Sequence, residues 1–183
     1  KKNIFKKLDF MCDQETILAS NTSSISINDL AKSTRKPERV IGMHFMNPVP
    51  IMKLVEIING KKTSINTTNT IIELSNNLNK IPVCCNDSPG FVSNRILMPM
   101  INEAAHCFSE GVANAESIDS IMKLGMGHPM GPLKLADLIG IDVCVMILNV
   151  LYDGFKDKKY KPSNILIDLV NNNKLGKKTG EGF

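Results

Sequence analysis

Up to residue 86, short β-branched and apolar runs alternate with segments of helical periodicity; after "NDSPG" at 86–90 no such run returns. That one change of pattern restricts the architecture more than any other feature. Strands alternating with helices bury themselves as an α/β layered sheet, whereas a helices-only stretch must pack helix on helix. The strand candidates are "TILAS" (16–20), "RVIGMHFM" (39–46), "KLVEII" (53–58) and "PVCCN" (82–86). Between them, "NIFKKLDFMC" spaces Ile4, Leu8, Met11 and Cys12 as a helix. "SINDLAKST" and "TTNTIIELSNNLNKI" (67–81) read the same way, the second with Ile71, Leu74 and Leu78 on one side.

Beyond residue 90 every periodic segment is helical. "FVSNRILMPMINEAAHCFSEG" ends at Gly111, and Pro99 inside it is expected to kink it or loosen a turn. "NAESIDSIMKLG" has Asn114 as N-cap and Gly125 as its stop. "GPLKLADLIG" puts Pro132 at the first helical position. "DVCVMILNVLYDGF" is expected to start at a capping Asp142, and "PSNILIDLVNNNKLG" to run from Pro162 to Gly176. The expectation is a remnant α/β domain over 1–87 and an all-helical domain over 88–183.

Charge and cysteines exclude several classes. The net charge of +4 comes with lysines scattered as short pairs and few aromatics among them, too dilute for a nucleic-acid stripe. The five cysteines are odd in number and lack C-x-x-C spacing, which argues against a disulfide framework and a zinc site. Reduced, mostly buried thiols are expected, hence a reducing compartment: the cytoplasm, or the mitochondrial matrix or a peroxisome. The longest strongly apolar run, "VCVMILNVL" at 143–151, is too short to span a bilayer. The first residues read as helix without an initiator Met, so a piece of a longer protein is expected and terminal targeting signals are not judged.

The stretch "HFMNPVPIMKLVE" (44–56) carries a His and a Glu among apolar residues, with two prolines between them. If 40–58 is a hairpin turning at Pro50, residues whose numbers sum to 100 face each other, so His44 meets Glu56. Directly opposed Cβ atoms lie about 4.5–5.5 Å apart, within reach of a hydrogen bond between the two side chains. Two readings follow. A buried His and Glu satisfy each other structurally; or the carboxylate orients the imidazole while its other nitrogen accepts a proton from an alcohol that is losing hydride.

Four blocks, "ASNTSSISI" (19–27), "GMHFMNPVPIMKLVEI" (42–57), "DSPGFVSNRILMPMINEA" (87–104) and "KLGMGHPMGPLKLADLIGID" (123–142), precede a closing "LGKKTGEGF". Together they resemble the L-3-hydroxyacyl-CoA dehydrogenase family, its short-chain 3-hydroxybutyryl-CoA branch in particular, over practically the whole chain. The resemblance implies the C-terminal part of a Rossmann-like NAD-binding domain followed by a helical domain that forms a homodimer. It also implies oxidation of an acyl-CoA substrate with NAD (NADP being the alternative) and a place in fatty acid metabolism; the charge pattern and the short apolar run add the expectation of no nucleic-acid and no membrane partner. The family's G-x-G-x-x-G turn and the acidic residue after it are absent from these 183 residues. The segment alone is therefore expected to be inactive.

Matched residue by residue, the resemblance assigns His44 as the base and Glu56 as its partner. Ser23 falls near substrate and nicotinamide, Asn94 against the substrate, Asn47 near cofactor and substrate, and Lys1 and Lys178 near NAD. Each has a plainer reading. Ser23 could cap the helix after it, Asn47 could make the turn beside Pro48, and the two lysines could be solvated. Asn94 among Phe91, Ile96 and Leu97 is unfavourable unless bonded. The implied site lies between the two domains. The alternatives are a dehydrogenase of a free hydroxy acid on the same fold, and a non-catalytic helical dimerisation module.

Overall fold

A computed structural model describes residues 1–183. The chain divides into two compact units, Lys1–Val92 and Ser93–Phe183.

In the first unit the elements run α1 (Lys2–Met11), β1 (Leu18–Ser20), α2 (Ile27–Ala31), β2 (Val40–Phe45), β3 (Leu54–Asn59), α3 (Ile65–Asn77) and β4 (Ile81–Asn86). The strands form one sheet in the order β1-β2-β3-β4. β1 runs parallel to β2 and β4 parallel to β3, while β2 and β3 form the antiparallel pair. Alternation along a strand sends successive side chains to opposite faces, and the buried residues sort accordingly. Val40 and Ile58 pack with Phe5, Ile27, Leu30, Ala31 and Phe91 on the side covered by α1 and α2. Ile41, Met43, Val55 and Ile57 pack with Ile71 of α3 on the other.

Gly42 makes the first layer possible. A Cβ there would lie 2.7 Å from Ile58 Cβ and 3.1 Å from Ile27 Cδ1, so only a bare backbone lets α2 and β3 close over β2. The cysteines are free, but only Cys144 is buried and Cys84 is exposed, which corrects the expectation that most are buried. For Cys84 the cause is position: it lies on β4, the strand at the edge of the sheet, where most side chains meet solvent.

The second unit holds α4 (Ser93–Ser109), α5 (Ala115–Met126), α6 (Pro132–Ile139), α7 (Ile141–Phe155) and α8 (Asn164–Asn171). Its core gathers Met98 and Ile101 of α4, Leu133 and Ala136 of α6, Leu148 and Leu151 of α7 and Leu166 of α8, all exposed by 1% or less. α4 continues through Pro99. No single helix is long and apolar enough to cross a membrane.

Helix ends depart from the expected positions in instructive ways. Asn114 caps α5 as expected, accepting from the Ser117 N–H at 2.8 Å. The stop is Gly127, not Gly125, because the left-handed turn (φ 70°) falls at 127 while 125 stays helical. α7 is preceded by Gly140, and Asp142 sits inside its first turn rather than capping it. α8 begins after Ser163 and leaves the helix at Asn172 and Asn173, the latter with φ 56°, well before Gly176. Asn tolerates that backbone region more readily than most residues. Gly176 instead bridges Glu181, in a loop folded so close to α6 that a Cβ on it would lie 2.3 Å from the Asp137 carbonyl.

Candidate active site

β2 and β3 pair with Ile41 opposite Asn59 and His44 opposite Glu56, the register in which paired numbers sum to 100. The irregular connection over residues 46–53 therefore adds no slip. It includes a cis peptide between Asn47 and Pro48. Parity places both side chains on the face that α1 and α2 cover. There His44 Nδ1 lies 2.8 Å from Glu56 Oε2, with the side chains only 11% and 6% exposed.

A carboxylate can only accept, so the ring proton belongs on Nδ1 and Nε2 keeps the lone pair. Direct pairing at this depth also gives the buried carboxylate a partner. The arrangement can do one chemical thing well: take a proton at Nε2 while the Glu56 carboxylate steadies the positive charge that then sits on the imidazole.

The surroundings of the pair come from three segments. The Phe91 ring meets the imidazole edge to face, with centroids 5.8 Å apart. Cys85, from β4, borders the carboxylate; burial, and then the Glu56 charge, push its thiol up to about 11, so it stays a neutral neighbour. The loop after β1 is tied to the His44 strand by Asn21, whose Oδ1 accepts from the Phe45 N–H at 3.0 Å.

In that loop Ser23 is half-buried beside Thr22, which is 4% exposed and accepts from the Ile25 N–H at 3.0 Å. The capping role that Ser23 could have played belongs to Ser26, which accepts from the Asp29 N–H. Ser26 donates in turn to Asp87 Oδ2 at 2.7 Å, and the Asn28 N–H reaches the same oxygen at 2.8 Å. Asp87 thus ties the start of α2 to the end of β4. Asn21, Asp87 and Phe91 are the participants that sequence reasoning missed. The "DSPGF" block was visible, but nothing local tells which of its residues reach back some sixty positions.

The other expected site residues are placed as follows. Asn47 is exposed, three residues beyond His44. Asn94, 9% exposed, is the second residue of α4 and belongs to the second unit. Lys1 is exposed at the start of α1. Lys178, in the second unit, is ion-paired with Asp142 and holds that carboxyl below its usual range. No group of three or more His, Cys, Asp or Glu side chains is arranged to hold a metal ion.

Residues 1–88 match the family model for the 3-hydroxyacyl-CoA dehydrogenase NAD binding domain, and residues 90–183 match the one for the 3-hydroxyacyl-CoA dehydrogenase C-terminal domain. A 3-hydroxybutyryl-CoA dehydrogenase of Clostridioides difficile is 57% identical over 183 residues, all of this chain and 65% of that protein. The mitochondrial hydroxyacyl-coenzyme A dehydrogenase of Sus scrofa is 45% identical over 184 residues, covering 59% of its length. The crystal structure of (S)-3-hydroxybutyryl-CoA dehydrogenase from Ralstonia eutropha superposes with a TM-score of 0.95 at 50% identity, over 98% of this chain and 64% of that one. The chain thus spans about two thirds of the length of these bacterial relatives.

Proposed function

The chain belongs to the 3-hydroxyacyl-CoA dehydrogenase family, and from that premise we propose that it is the larger part of an enzyme interconverting a short-chain 3-hydroxyacyl-CoA and its 3-ketoacyl-CoA. The substrate chemistry follows the bacterial relatives, which are named for 3-hydroxybutyryl-CoA. The observation that carries the reading is the buried 2.8 Å contact between His44 and Glu56 in an unslipped register.

Bound NAD supplies the hydride acceptor. His44 Nε2 removes the hydroxyl proton as the C3 hydride departs, and Glu56 steadies the imidazolium that results. Ser23 and Asn94 hold the oxygen whose charge changes. In the reverse direction the imidazolium returns the proton to the new alcohol.

The residues present suit the nicotinamide end of the cofactor. Open α/β sheets take ligands beyond the carboxyl ends of their strands. Polar residues stand there on both members of the parallel pair: Asn21 to Ser24 after β1, and Asn47 after β2. Asn47 and Ser23 would hold that end, with Lys1 and Lys178 assigned to the more anionic part. The phosphate-binding glycine turn is assigned to the part of the relatives' length that this chain does not span. Accordingly we take residues 1–87 as part of the cofactor domain and 88–183 as the helical one.

The helical domain leaves Ile121 (59% exposed), Leu124 (87%) and Met126 (63%) uncovered on α5, together with Leu138 (50%) on α6. We take a second copy of the chain as the cover for part of this surface, since large apolar residues left exposed on neighbouring helices suit an interaction surface. The free thiols, one of them exposed, suit a reducing compartment such as the cytoplasm, the mitochondrial matrix or a peroxisome.

The test uses a chain that includes the upstream glycine turn. His44→Ala should cut kcat by about 10²–10⁴-fold while the NADH dissociation constant stays near its original value. Unchanged turnover would remove the base assignment. Turnover of the free hydroxy acid but not of its CoA thioester would replace the substrate class.

A further inference from the structure

Resting on the reading of His44 as the base, we propose that Phe91 is a positioning residue that fixes the tilt of the His44 imidazole. The starting observation is a conflict between residue and backbone. Gly90 and Phe91 follow one another in the left-handed region, with φ 72° and 52°. Glycine adopts that region at no steric cost, whereas a bulky residue there is an outlier. A turn chosen for its own conformation would carry Gly or Asn at position 91. A phenyl ring held there against its backbone preference must contribute through its packing.

That packing is well defined. Phe91 is 3% exposed and belongs to the buried cluster of Phe5, Ile27, Leu30, Val40 and Ile58. The turn that presents it is fastened at its first residue. The Asp87 N–H donates to the Asn59 carbonyl at 2.9 Å, and its carboxylate takes the Ser26 hydroxyl and the Asn28 N–H. At the other end the Phe91 N–H closes onto the Ser88 carbonyl at 2.9 Å. The ring therefore has a rigid base on β3 and α2, and its edge-to-face contact with His44, at 61° between planes, is imposed by the fold.

The hydrogen bond from Nδ1 to Glu56 fixes where one ring nitrogen points. It leaves the ring able to tilt about that bond, which swings Nε2, the atom that takes the proton. A tilt of a few tens of degrees moves Nε2 by about 1 Å, a misplacement that costs on the order of 10²-fold at a reacting centre. The carboxylate from β3 and the phenyl ring from the β4–α4 turn supply two independent restraints, and together they leave the imidazole a single orientation. Sequence spacing gives no hint of this, because the two restraints come from segments 35 residues apart.

The experiment compares Phe91→Leu, which keeps apolar volume but loses the ring, with Phe91→Tyr, which keeps the ring. Both are made in a chain that includes the upstream glycine turn. Phe91→Leu should lower kcat about tenfold, with the acyl-CoA KM and the NADH dissociation constant within about twofold of wild type. Phe91→Tyr should recover kcat to within about threefold. Because Phe91 acts through His44, Phe91→Leu should cost nothing further in a His44→Ala background. A kcat within twofold of wild type in folded Phe91→Leu overturns the inference. So does the same tenfold loss with His44 absent, since Phe91 would then act elsewhere. If Phe91→Leu does not fold, Phe91→Met is read against the same thresholds. His44→Ala in the same assay separates the two levels. A fully active His44→Ala defeats the base assignment itself, whereas an inactive His44→Ala beside a fully active Phe91→Leu defeats only the positioning role.

Discussion

Replacing Glu56 by Gln keeps the shape of the side chain and removes its charge, which isolates what the carboxylate contributes. The contact is short, 2.8 Å, and both partners are nearly dry. A hydrogen bond to a charged group at such a site is worth about 1.5–3 kcal/mol net. The gain that matters arises only when the imidazole is protonated. Charge centres about 4 Å apart at an effective dielectric constant near 20 attract by about 4 kcal/mol, an upper figure. A loss of about 2–4 kcal/mol from the protonated state corresponds to a fall in kcat of roughly 30- to 1,000-fold. The amide adds a second penalty if its NH₂ turns towards Nδ1, because it then stabilises the tautomer with the proton on Nε2, which cannot act as base. The assay follows NADH absorbance with saturating acyl-CoA, alongside NADH binding, in a chain that includes the glycine turn. Binding should change less than about threefold, since nothing in the substitution touches a binding contact. A kcat within twofold of wild type, beside an inactive His44→Ala, would leave Glu56 a structural partner with no part in proton transfer.

Other perturbations probe the sheet, the helical surface and a buried acid. Gly42→Ala forces a Cβ to within 2.7 Å of Ile58 and should destabilise the first unit by about 1–3 kcal/mol; an unchanged urea midpoint would show that α2 and β3 have room to part. Leu124→Glu places a charge on a residue that is 87% exposed, so a lone chain should tolerate it while a dimer sealed there should dissociate in sedimentation velocity. Unaltered dimerisation would move the interface elsewhere. Burial raises the Asp137 carboxyl above its ordinary range, partly offset by the Phe183 N–H that donates to it. A raised acid favours the folded state while protonated, so its cost is absent at low pH and grows as pH climbs through the folded value. Asp137→Asn, which can still accept from Phe183, should therefore raise the Tm at pH 7 but not near pH 3; an equal gain at both would rule out ionisation as the cause.

Much of this molecule could be read along the chain. The alternation that ends near residue 86 and the purely helical periodicity after it correspond to the four-stranded sheet and the five helices that form. Both signals are local, arising from how often an apolar residue must recur to stay on one face. Register was also legible: once two strands are joined by a turn, antiparallel pairing makes the partner of His44 a matter of counting, and Glu56 is where the count ends. The Asn114 cap and the Pro132 start were readable because each is set by chemistry within one turn of helix.

Tertiary structure decided what counting could not reach. Two glycines compete to end α5, and only the backbone at Gly127 turns left-handed. The start of α6 is capped not by a neighbour but by Asp119 of α5, which accepts from the N–H groups of Leu133 and Lys134 at 2.9 Å. Asp87 reaches Ser26, and Phe91 reaches His44, across 61 and 47 positions. Contacts of this kind leave no periodic trace, because they depend on which faces the folded layers bring together rather than on spacing along the chain. Spacing along the chain was enough for the layers and, given a hairpin that turns at Pro50, for the facing pair of His44 and Glu56. The folded molecule alone decided what closes around that pair, since a neighbour in space becomes definite only when the sheet and its covering helices have packed.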